Sequence, residues 1–199
     1  MKTEYSPKEI AAFEGVMKLV GEGENIYSIK VQQIADAAGV GKGTLYDYFD
    51  SREEILASAV IYSMWKEIDA LETAIDKGET FMDKCEAALD FAHDAVRSHS
   101  SGFFLVNSAM HDERMPAAFK GHENERDMLM CRMYTLLDSA VQTGITQGEI
   151  AEEVTLQYGR MAASGMLFTT TALCGASEEE QWPSIKKDAL TILKKALSK

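Results

Sequence analysis

The sequence predicts an all-α protein, and three observations lead to that class. Apolar residues recur at the three- and four-residue spacing of amphipathic helices along most of the 199 residues. No stretch shows a convincing alternation of apolar and polar residues, the pattern of a half-buried β-strand. Glycine and proline interrupt the helical pattern where helices would begin or end. We expect about nine helices, divided into an N-terminal helix-turn-helix domain at 1–50 and a larger helical domain at 51–199.

The first helix is expected to begin after Ser6. Ser6 can cap the free backbone N–H groups and Pro7 suits the first helical position. Glu9 completes a capping box with Ser6. The apolar residues of this helix, which would end at Gly21 or Gly23, are Ile10, Phe13, Val16, Met17 and Val20.

The next two helices, at 31–38 and 42–48, are predicted to form a helix-turn-helix. Gly39 would provide the turn, because a positive φ angle is open to glycine and penalised for residues with a β-carbon. Ala35 and Ala38 are small enough to let the helices cross closely. The commonest use of this motif is to place the second helix in the major groove of DNA.

The exposed face of the second motif helix carries side chains that suit DNA. A cation, a hydroxyl with a methyl group and two phenols can contact phosphates and base edges, and here they are Lys42, Thr44, Tyr46 and Tyr48. Gly41 and Gly43 would let the helix N-terminus approach a phosphate. Lys30 and Arg52 are candidates for further phosphate contacts. Two short helices with a glycine turn also occur in proteins that bind no DNA, and Asp47 would repel a phosphate unless it points away or meets a cytosine amino group.

The remaining elements are also helices. Residues 51–54, Ser-Arg-Glu-Glu, form a second capping box, which would open a long helix that ends near Gly78. Pro183 would kink the last helix or delay its start. The further helices are predicted at about 80–98, 102–110, 117–143, 152–173 and 178–197.

Composition indicates a globular protein of the cytoplasm. Hydrophobic residues make up 46% and charged residues 26%, and no window has the length of a membrane span. The polar N-terminus lacks an apolar run with a cleavage site, and the three cysteines are expected to be free thiols in a reducing compartment. The formal net charge is −12, of which residues 1–52 carry only −2. The acid is therefore concentrated away from the predicted motif.

The helix-turn-helix and the start of the following helix resemble the N-terminal signature of the TetR family of transcriptional regulators. The resemblance is carried by residues 34–56, IADAAGVGKGTLYDYFDSREEIL, and covers about residues 6–60. Arg52 stands where the family commonly has lysine, and beyond residue 60 the likeness is only architectural. The resemblance implies a homodimer that binds a palindromic operator, usually as a repressor, and releases it when a small molecule binds. It places at DNA-contacting positions Lys42, Gly43, Thr44, Tyr46, Tyr48 and Arg52.

The last two predicted helices each carry a stripe of small and apolar residues. One stripe is Ala162, Gly165, Met166 and Thr169, and the other is Ile185, Ala189, Ile192, Leu193 and Ala196. Two such helices from each subunit would form a four-helix dimer interface. The alternative is that both stripes pack inside one subunit. The resemblance and the two-fold geometry of a palindromic operator favour the dimer.

The middle helices are rich in methionine and aromatic residues. These types suit an adaptable apolar site, although each residue by itself is more typical of an ordinary core. That some of them line a ligand pocket is implied by the resemblance alone. The candidates for ligand contact are Phe91, Phe104, Asn107, Met110, Met133, Tyr134, Met166 and Phe168. Arg132, His93 and Asp138 are further polar candidates.

No motif indicates an enzyme, a cofactor or a metal site. The four histidines do not pair at the i, i+4 spacing, and neither CxxC nor HExxH is present. The alternative to a DNA-binding regulator is a helical small-molecule-binding or protein-interaction module without DNA binding. The net charge of −12 and Asp47 favour that alternative. Salt dependence distinguishes the two classes, because an operator complex weakens steeply as salt rises.

Overall fold

The computed structural model of the protein describes residues 5–98, 122–176 and 178–198. These residues form eight α-helices and a short 3₁₀ helix, and no strand occurs among them, which confirms the all-α class. The α-helices are α1 (Pro7–Gly21), α2 (Val31–Ala38), α3 (Lys42–Tyr46), α4 (Arg52–Ile75), α5 (Phe81–Ser98), α6 (Glu123–Thr146), α7 (Leu156–Ala176) and α8 (Trp182–Leu197). None of these helices combines the length and the apolar character needed to cross a membrane.

Part of the sequence prediction lies outside the described residues. This applies to the helix predicted at 102–110 and to three of the ligand candidates, Phe104, Asn107 and Met110. The chain divides into two compact units, of which the first is Met1–Glu67 with Ser98–Leu129 and the second is Ile68–Arg97 with Met130–Lys199. The functional division at residue 50 stays a prediction.

The first unit has its core between α1, α2, α3 and the beginning of α4. Phe13, Ile34 and Leu45 are fully buried there, which agrees with the helical spacing that placed Phe13 on the apolar face of α1. The Phe13 ring meets the rings of Tyr5 and Phe49 edge-on, with centroids 5.0 and 5.7 Å apart. This aromatic packing holds α1 against the residues that follow α3.

Both predicted capping boxes lie at helix starts, and one of them has an altered geometry. The backbone N–H of Glu9 donates to Ser6 Oγ at 3.3 Å, and the Ser6 N–H donates to Glu9 Oε2 at 2.8 Å. At α4, the Glu54 N–H donates to Ser51 Oγ at 3.1 Å. The Glu54 carboxylate, however, accepts from the N–H of Asp50 at 2.6 Å, one residue before the predicted partner.

The second unit packs the ends of α6 and α8 against the start of α5. Its core includes Phe81, Val141, Ile150, Leu193 and Leu197, all almost fully buried. α7 and α8 pack directly against each other.

Several helix ends differ from the sequence prediction, including the ends of α6 at Thr146 and α7 at Ala176, which were predicted at 143 and 173. α7 begins at Leu156 rather than 152, because Thr155 caps it and its Oγ1 accepts from the N–H of Tyr158 at 3.1 Å. A 3₁₀ turn at Glu179–Gln181 precedes α8, so that Pro183 occupies the first turn of the helix and delays its start. α3 ends at Tyr46, two residues before the predicted end.

Candidate DNA-binding surface and ligand cavity

Gly39 forms the turn between α2 and α3, as predicted. Its φ of 67° and ψ of 29° lie in the left-handed region, which residues with a β-carbon rarely adopt. The N–H of Gly39 donates to Asp36 O at 3.3 Å, and the N–H of Val40 donates to Ala35 O at 3.0 Å. These two bonds close the C-terminus of α2 and set the direction in which α3 leaves it.

Close contact between α1 and α2 depends on a glycine that the sequence reasoning missed. A β-carbon at Gly15 would lie 3.1 Å from the backbone nitrogen of Ala38 and 3.3 Å from the carbonyl oxygen of Ile34. The sequence indicated small contact residues only on α2, at Ala35 and Ala38. The available signal was the position of Gly15 among the apolar residues of α1, where a glycine otherwise costs helix stability.

Most of the predicted DNA-contacting residues are exposed on α3 and the segments that flank it. Leu45 and Phe49 are buried and anchor this segment, while Tyr46 and Tyr48 are 49% and 37% exposed. Thr44 is half-buried. Exposed with the two tyrosines are Lys30, Lys42, Gly43 and Asp47. We call the set Lys30, Lys42, Gly43, Thr44, Tyr46 and Tyr48 the reading surface.

Lys30 occupies the N-cap position of α2. Its backbone N–H donates to Gln33 Oε1 at 2.9 Å, and its side chain is exposed. Gln32 Nε2 donates to Asp36 Oδ1 at 2.8 Å on the solvent side of the same helix. The Lys30 ammonium is thus open to solvent beside the start of α2.

Arg52, unlike the residues of the reading surface, has a side chain that is hydrogen-bonded to other parts of the protein. Its Nη1 donates to the carbonyl oxygens of Tyr27 at 2.9 Å and Ile29 at 3.2 Å. Its Nε and Nη2 lie 3.1 and 3.0 Å from Glu53 Oε1. The predicted phosphate contact of Arg52 stays a prediction, and the guanidinium already has partners within the chain.

The second unit contains an apolar cavity of about 40 Å³ among the described residues. Two of the ligand candidates, Met133 and Met166, line it, and their ligand contacts stay predictions. Other lining residues, most of which sequence reasoning missed, are Leu71, Ile75, Phe81, Lys84, Cys85, Ala88, Leu136, Leu137, Ala140, Ala163 and Leu167. These are mostly small or aliphatic residues on four helices, which helical spacing alone cannot bring together.

Three other ligand candidates lie away from this cavity. Phe168 is 65% exposed and Tyr134 is 42% exposed, where the Tyr134 ring lies 4.9 Å from the guanidinium carbon of Arg160. Phe91 is half-buried and is not among the lining residues. Their ligand contacts stay predictions, without support from the cavity.

The polar candidates are engaged with other side chains. Arg132 forms ion pairs with Asp69 and Glu72, and the hydrogen bond to Glu72 is the main cause that raises its pKa. The Arg160 Nε lies 2.9 Å from Asp138 Oδ1, an ion pair whose orientation does not make a hydrogen bond.

His93 stacks on the indole of Trp182, with ring centroids 4.4 Å apart. Its Nδ1 lies 3.3 Å from Asp94 Oδ1, and its buried Nε2 has no hydrogen-bond partner among the described residues. The stacking partner lies on α8, whose residues do not line the cavity.

The cavity lining includes two polar groups, the thiol of Cys85 and the ammonium of Lys84. Burial is the largest cause that raises the pKa of the Cys85 thiol to about 12, and the charge of Glu149 adds to it. A thiol with that pKa carries almost no thiolate near neutral pH. Lys84 Nζ donates to the carbonyl oxygen of Ile75 at 3.1 Å, so its ammonium is tied to the end of α4.

An exposed apolar face runs along α7 and α8. Tyr158, Met161 and Phe168 lie on α7 at helical spacing and are 52–65% exposed. On α8, Ile192 is 66% exposed, whereas Ala189 and Leu193 are buried inside the subunit. The stripe predicted on α8 is therefore divided between an inward and an outward face. The stripe predicted on α7 is divided as well, because Gly165 and Thr169 are exposed whereas Met166 lines the cavity.

The helix-turn-helix matches one known protein family, and the chain as a whole is similar to a known regulator. Residues 24–59, which include the helix-turn-helix, match the family described as "Bacterial regulatory proteins, tetR family". The chain is 23% identical over 164 residues to the fatty acid metabolism regulator protein of Bacillus subtilis (strain 168), covering 82% of this chain and 81% of that protein.

Solved structures share the fold along nearly the whole chain. The fatty acid degradation regulator FadR from Bacillus halodurans matches with a TM-score of 0.72 at 17% identity, over 96% of this chain and 97% of that one. The transcriptional regulator FadR from Bacillus subtilis, solved in complex with stearoyl-CoA, matches with a TM-score of 0.64 at 21% identity, over 98% of both chains. Residues 24–59 thus carry the helix-turn-helix of the tetR family of bacterial regulatory proteins, and the chain shares its fold along nearly its whole length with these transcriptional regulators.

Proposed function

We propose that the protein is a homodimeric repressor that binds a palindromic DNA operator through its reading surface and releases it when an effector with a long apolar chain binds. The observation that carries the proposal is the reading surface itself. Cationic, hydroxyl and phenolic groups project from α3 and its flanks, while Leu45 and Phe49 anchor the same segment in the core. Such groups serve phosphate positioning and base readout.

The charge distribution supports DNA binding that depends on the correct position of the two reading surfaces more than on overall charge attraction. Residues 1–52 carry a net charge of −2, and Asp36 and Asp47 are exposed near the lysines of the reading surface. Bulk attraction to the phosphate backbone is therefore weak. A dimer that places two reading surfaces in successive major grooves would compensate, because both surfaces then contribute to one complex.

A mobility-shift titration with DNA from beside the protein's own gene tests the DNA-binding proposal. The double variant Lys42→Ala/Tyr46→Ala is expected to bind at least about tenfold more weakly, since each lost contact costs roughly 1–3 kcal/mol. Lys8→Ala is the matched control, because Lys8 is an exposed lysine of the same unit outside the reading surface. Equal binding by parent and double variant would refute the site.

The salt dependence of DNA affinity distinguishes a DNA-binding regulator from a helical module that binds no DNA. The observed binding constant of a DNA complex falls with salt, with a logarithmic slope of about −0.9 for each phosphate neutralised. We expect a steep slope for the parent protein. No measurable binding at low salt would favour the alternative class.

The apolar face of α7 and α8 supports a dimer of this chain. Tyr158, Met161, Phe168 and Ile192 would be costly to leave in water together. A second copy related by a two-fold axis would cover the same face on both subunits. Ile192→Asp is therefore expected to shift the protein from dimer to monomer in sedimentation analysis, whereas Lys187→Asp on the same helix should leave the dimer intact. A dimeric Ile192→Asp variant would place the interface elsewhere.

The cavity supports an effector with an apolar chain. Its lining is almost wholly hydrocarbon, and Met133 and Met166 can adapt their shape to a ligand. Its volume of about 40 Å³ is far below the roughly 300–1,000 Å³ of typical ligand sites. The cavity must therefore widen when a chain enters, and that change gives the liganded state a different conformation. Leu71 and Ile75 of the lining belong to the last turns of α4, the helix that begins at Arg52.

Stearoyl-CoA, the ligand of one structural relative, is a suitable probe. We expect stearoyl-CoA to raise the melting temperature of the protein. At micromolar concentration it should also dissociate the protein from its DNA. Coenzyme A without the acyl chain is the control and should do neither. Equal effects of both compounds would refute the role of the apolar chain, while no effect of either would refute this ligand class.

A further inference from the structure

We propose that Arg52 is a positioning residue of the helix-turn-helix, which fixes the entry into α2 through two backbone carbonyls. The Nη1 of its guanidinium donates to Tyr27 O at 2.9 Å and to Ile29 O at 3.2 Å. The inference rests on the proposed DNA binding, because the position of α2 matters to function only if the motif reads DNA.

The segment between α1 and α2 lacks regular structure and precedes the reading surface directly. Gly23 in this segment has a φ of 95°. Ile26 and Ile29 are buried and anchor it to the core, and Lys30 follows at the N-cap of α2. A displacement of the carbonyls before Lys30 would move both that lysine and the first turn of α2.

Arg52 is suited to this task because of the geometry of its side chain. The planar guanidinium offers five N–H donors in a fixed fork, so that it can bond two carbonyls and a carboxylate at the same time. The Glu53 carboxylate takes the Nε and Nη2 side of the fork, at 3.1 and 3.0 Å from Oε1. The Arg52 side chain is only 31% exposed, which agrees with a group held against the protein.

Lysine at this position would retain the charge and lose the fork. An ammonium group is a compact point charge, and it cannot reproduce the bonds to two carbonyls together with the contact to Glu53. A direct phosphate contact would therefore survive the substitution Arg52→Lys, whereas the positioning role would not. This difference makes the conservative variant the informative one.

The test compares the parent, Arg52→Lys and the control Glu53→Gln, which removes the exposed ionic partner and leaves both carbonyl bonds. Hydrogen exchange is measured without DNA at the backbone amides of Tyr27, Ser28 and Lys30, which are bonded to Asn25 and Gln33. DNA affinity and its salt slope are measured well below the melting temperature of each variant.

For Arg52→Lys, we expect exchange at those amides to accelerate at least about threefold and the dissociation constant to rise about tenfold. The salt slope should stay that of the parent, because no phosphate contact is lost. Glu53→Gln should match the parent in all three readouts.

Two results would overturn the proposal. The first is an Arg52→Lys variant that keeps the parent's affinity. The second is a variant that loses affinity while the exchange of those amides stays that of the parent, because the loss would then not come from the segment that Arg52 holds. If the parent itself bound no DNA at low salt, the proposed function would fail. The exchange comparison would then decide alone whether Arg52 holds the segment, and unchanged exchange would refute it.

Discussion

Glu149 caps α5 from outside that helix. Its Oε1 accepts a hydrogen bond from the backbone N–H of Phe81 at 2.9 Å, and its Oε2 accepts one from Met82 at 3.3 Å. Glu149 lies between α6 and α7, 68 residues away from Phe81 in the sequence. The first N–H groups of a helix have no partner within it, and the positive end of the helix dipole favours a carboxylate there.

Loss of this carboxylate is expected to destabilise the protein. Glu149→Ala should lower the free energy of unfolding by about 1–3 kcal/mol, because two partly buried N–H groups lose a charged acceptor. Urea denaturation measures the change. The control is Glu152→Ala in the same loop, an exposed residue whose substitution should stay within about 0.5 kcal/mol. Equal stability of both variants would show that the cap contributes nothing.

The turn at Gly39 predicts opposite effects for two glycine substitutions. Gly39→Ala should lower the free energy of unfolding by about 1–2 kcal/mol, because a β-carbon is disfavoured at a φ of 67°. Gly43→Ala should raise it by roughly 0.5–1 kcal/mol, because Gly43 lies in α3 and an added β-carbon would meet nothing within 4 Å. Chemical denaturation without DNA measures both. A stabilised Gly39→Ala variant would contradict this account of the turn.

Filling the cavity should separate effector binding from DNA binding. Ala163 is buried and lines the cavity, so Ala163→Leu is expected to occupy the space that an acyl chain would enter. The concentration of stearoyl-CoA that releases DNA should rise at least about tenfold, while DNA affinity without it changes less than about twofold. Ala70→Leu, at an exposed position on α4, is the control. Normal release by Ala163→Leu would place the acyl chain outside this cavity.

The cysteines should differ sharply in reactivity. Cys131 is exposed, whereas Cys85 and Cys174 are buried. Burial raises the pKa of both buried thiols, to about 12 for Cys85. Because the thiolate is the reactive form, iodoacetamide at pH 8 should modify Cys131 first in the native protein. Peptide mass spectrometry over a time course measures the order, and early modification of Cys85 would contradict its burial.

The local signals in the sequence were sufficient for the helix-turn-helix. The Ser6 capping box, the turn at Gly39 and the periodic apolar residues act over three to five positions, so their outcome depends on neighbours in the chain. The same holds for the delayed start of α8 at Pro183. The family resemblance added the expected role of the exposed side chains, and the match at residues 24–59 confirms that resemblance for the helix-turn-helix.

Contacts between distant segments were decided only by the tertiary structure. Helical spacing grouped Met166 with Gly165 on one stripe, but the packing of α6 and α7 turns Met166 into the cavity and leaves Gly165 exposed. It also turned Phe168 outward, onto the face that we assign to the dimer.

The sequence by itself determined the all-α class, the helix-turn-helix and the identity of the side chains on its exposed face, because these depend on local periodicity, capping and turn chemistry. The tertiary structure decided the lining of the cavity, the cap that Glu149 provides to α5 and the bonding of Arg52 to the carbonyls of Tyr27 and Ile29. The hydrogen bonds of Arg52 and Glu149 join residues that are 23 to 68 positions apart in the sequence. Tertiary packing brings such pairs together, whereas spacing along one helix cannot.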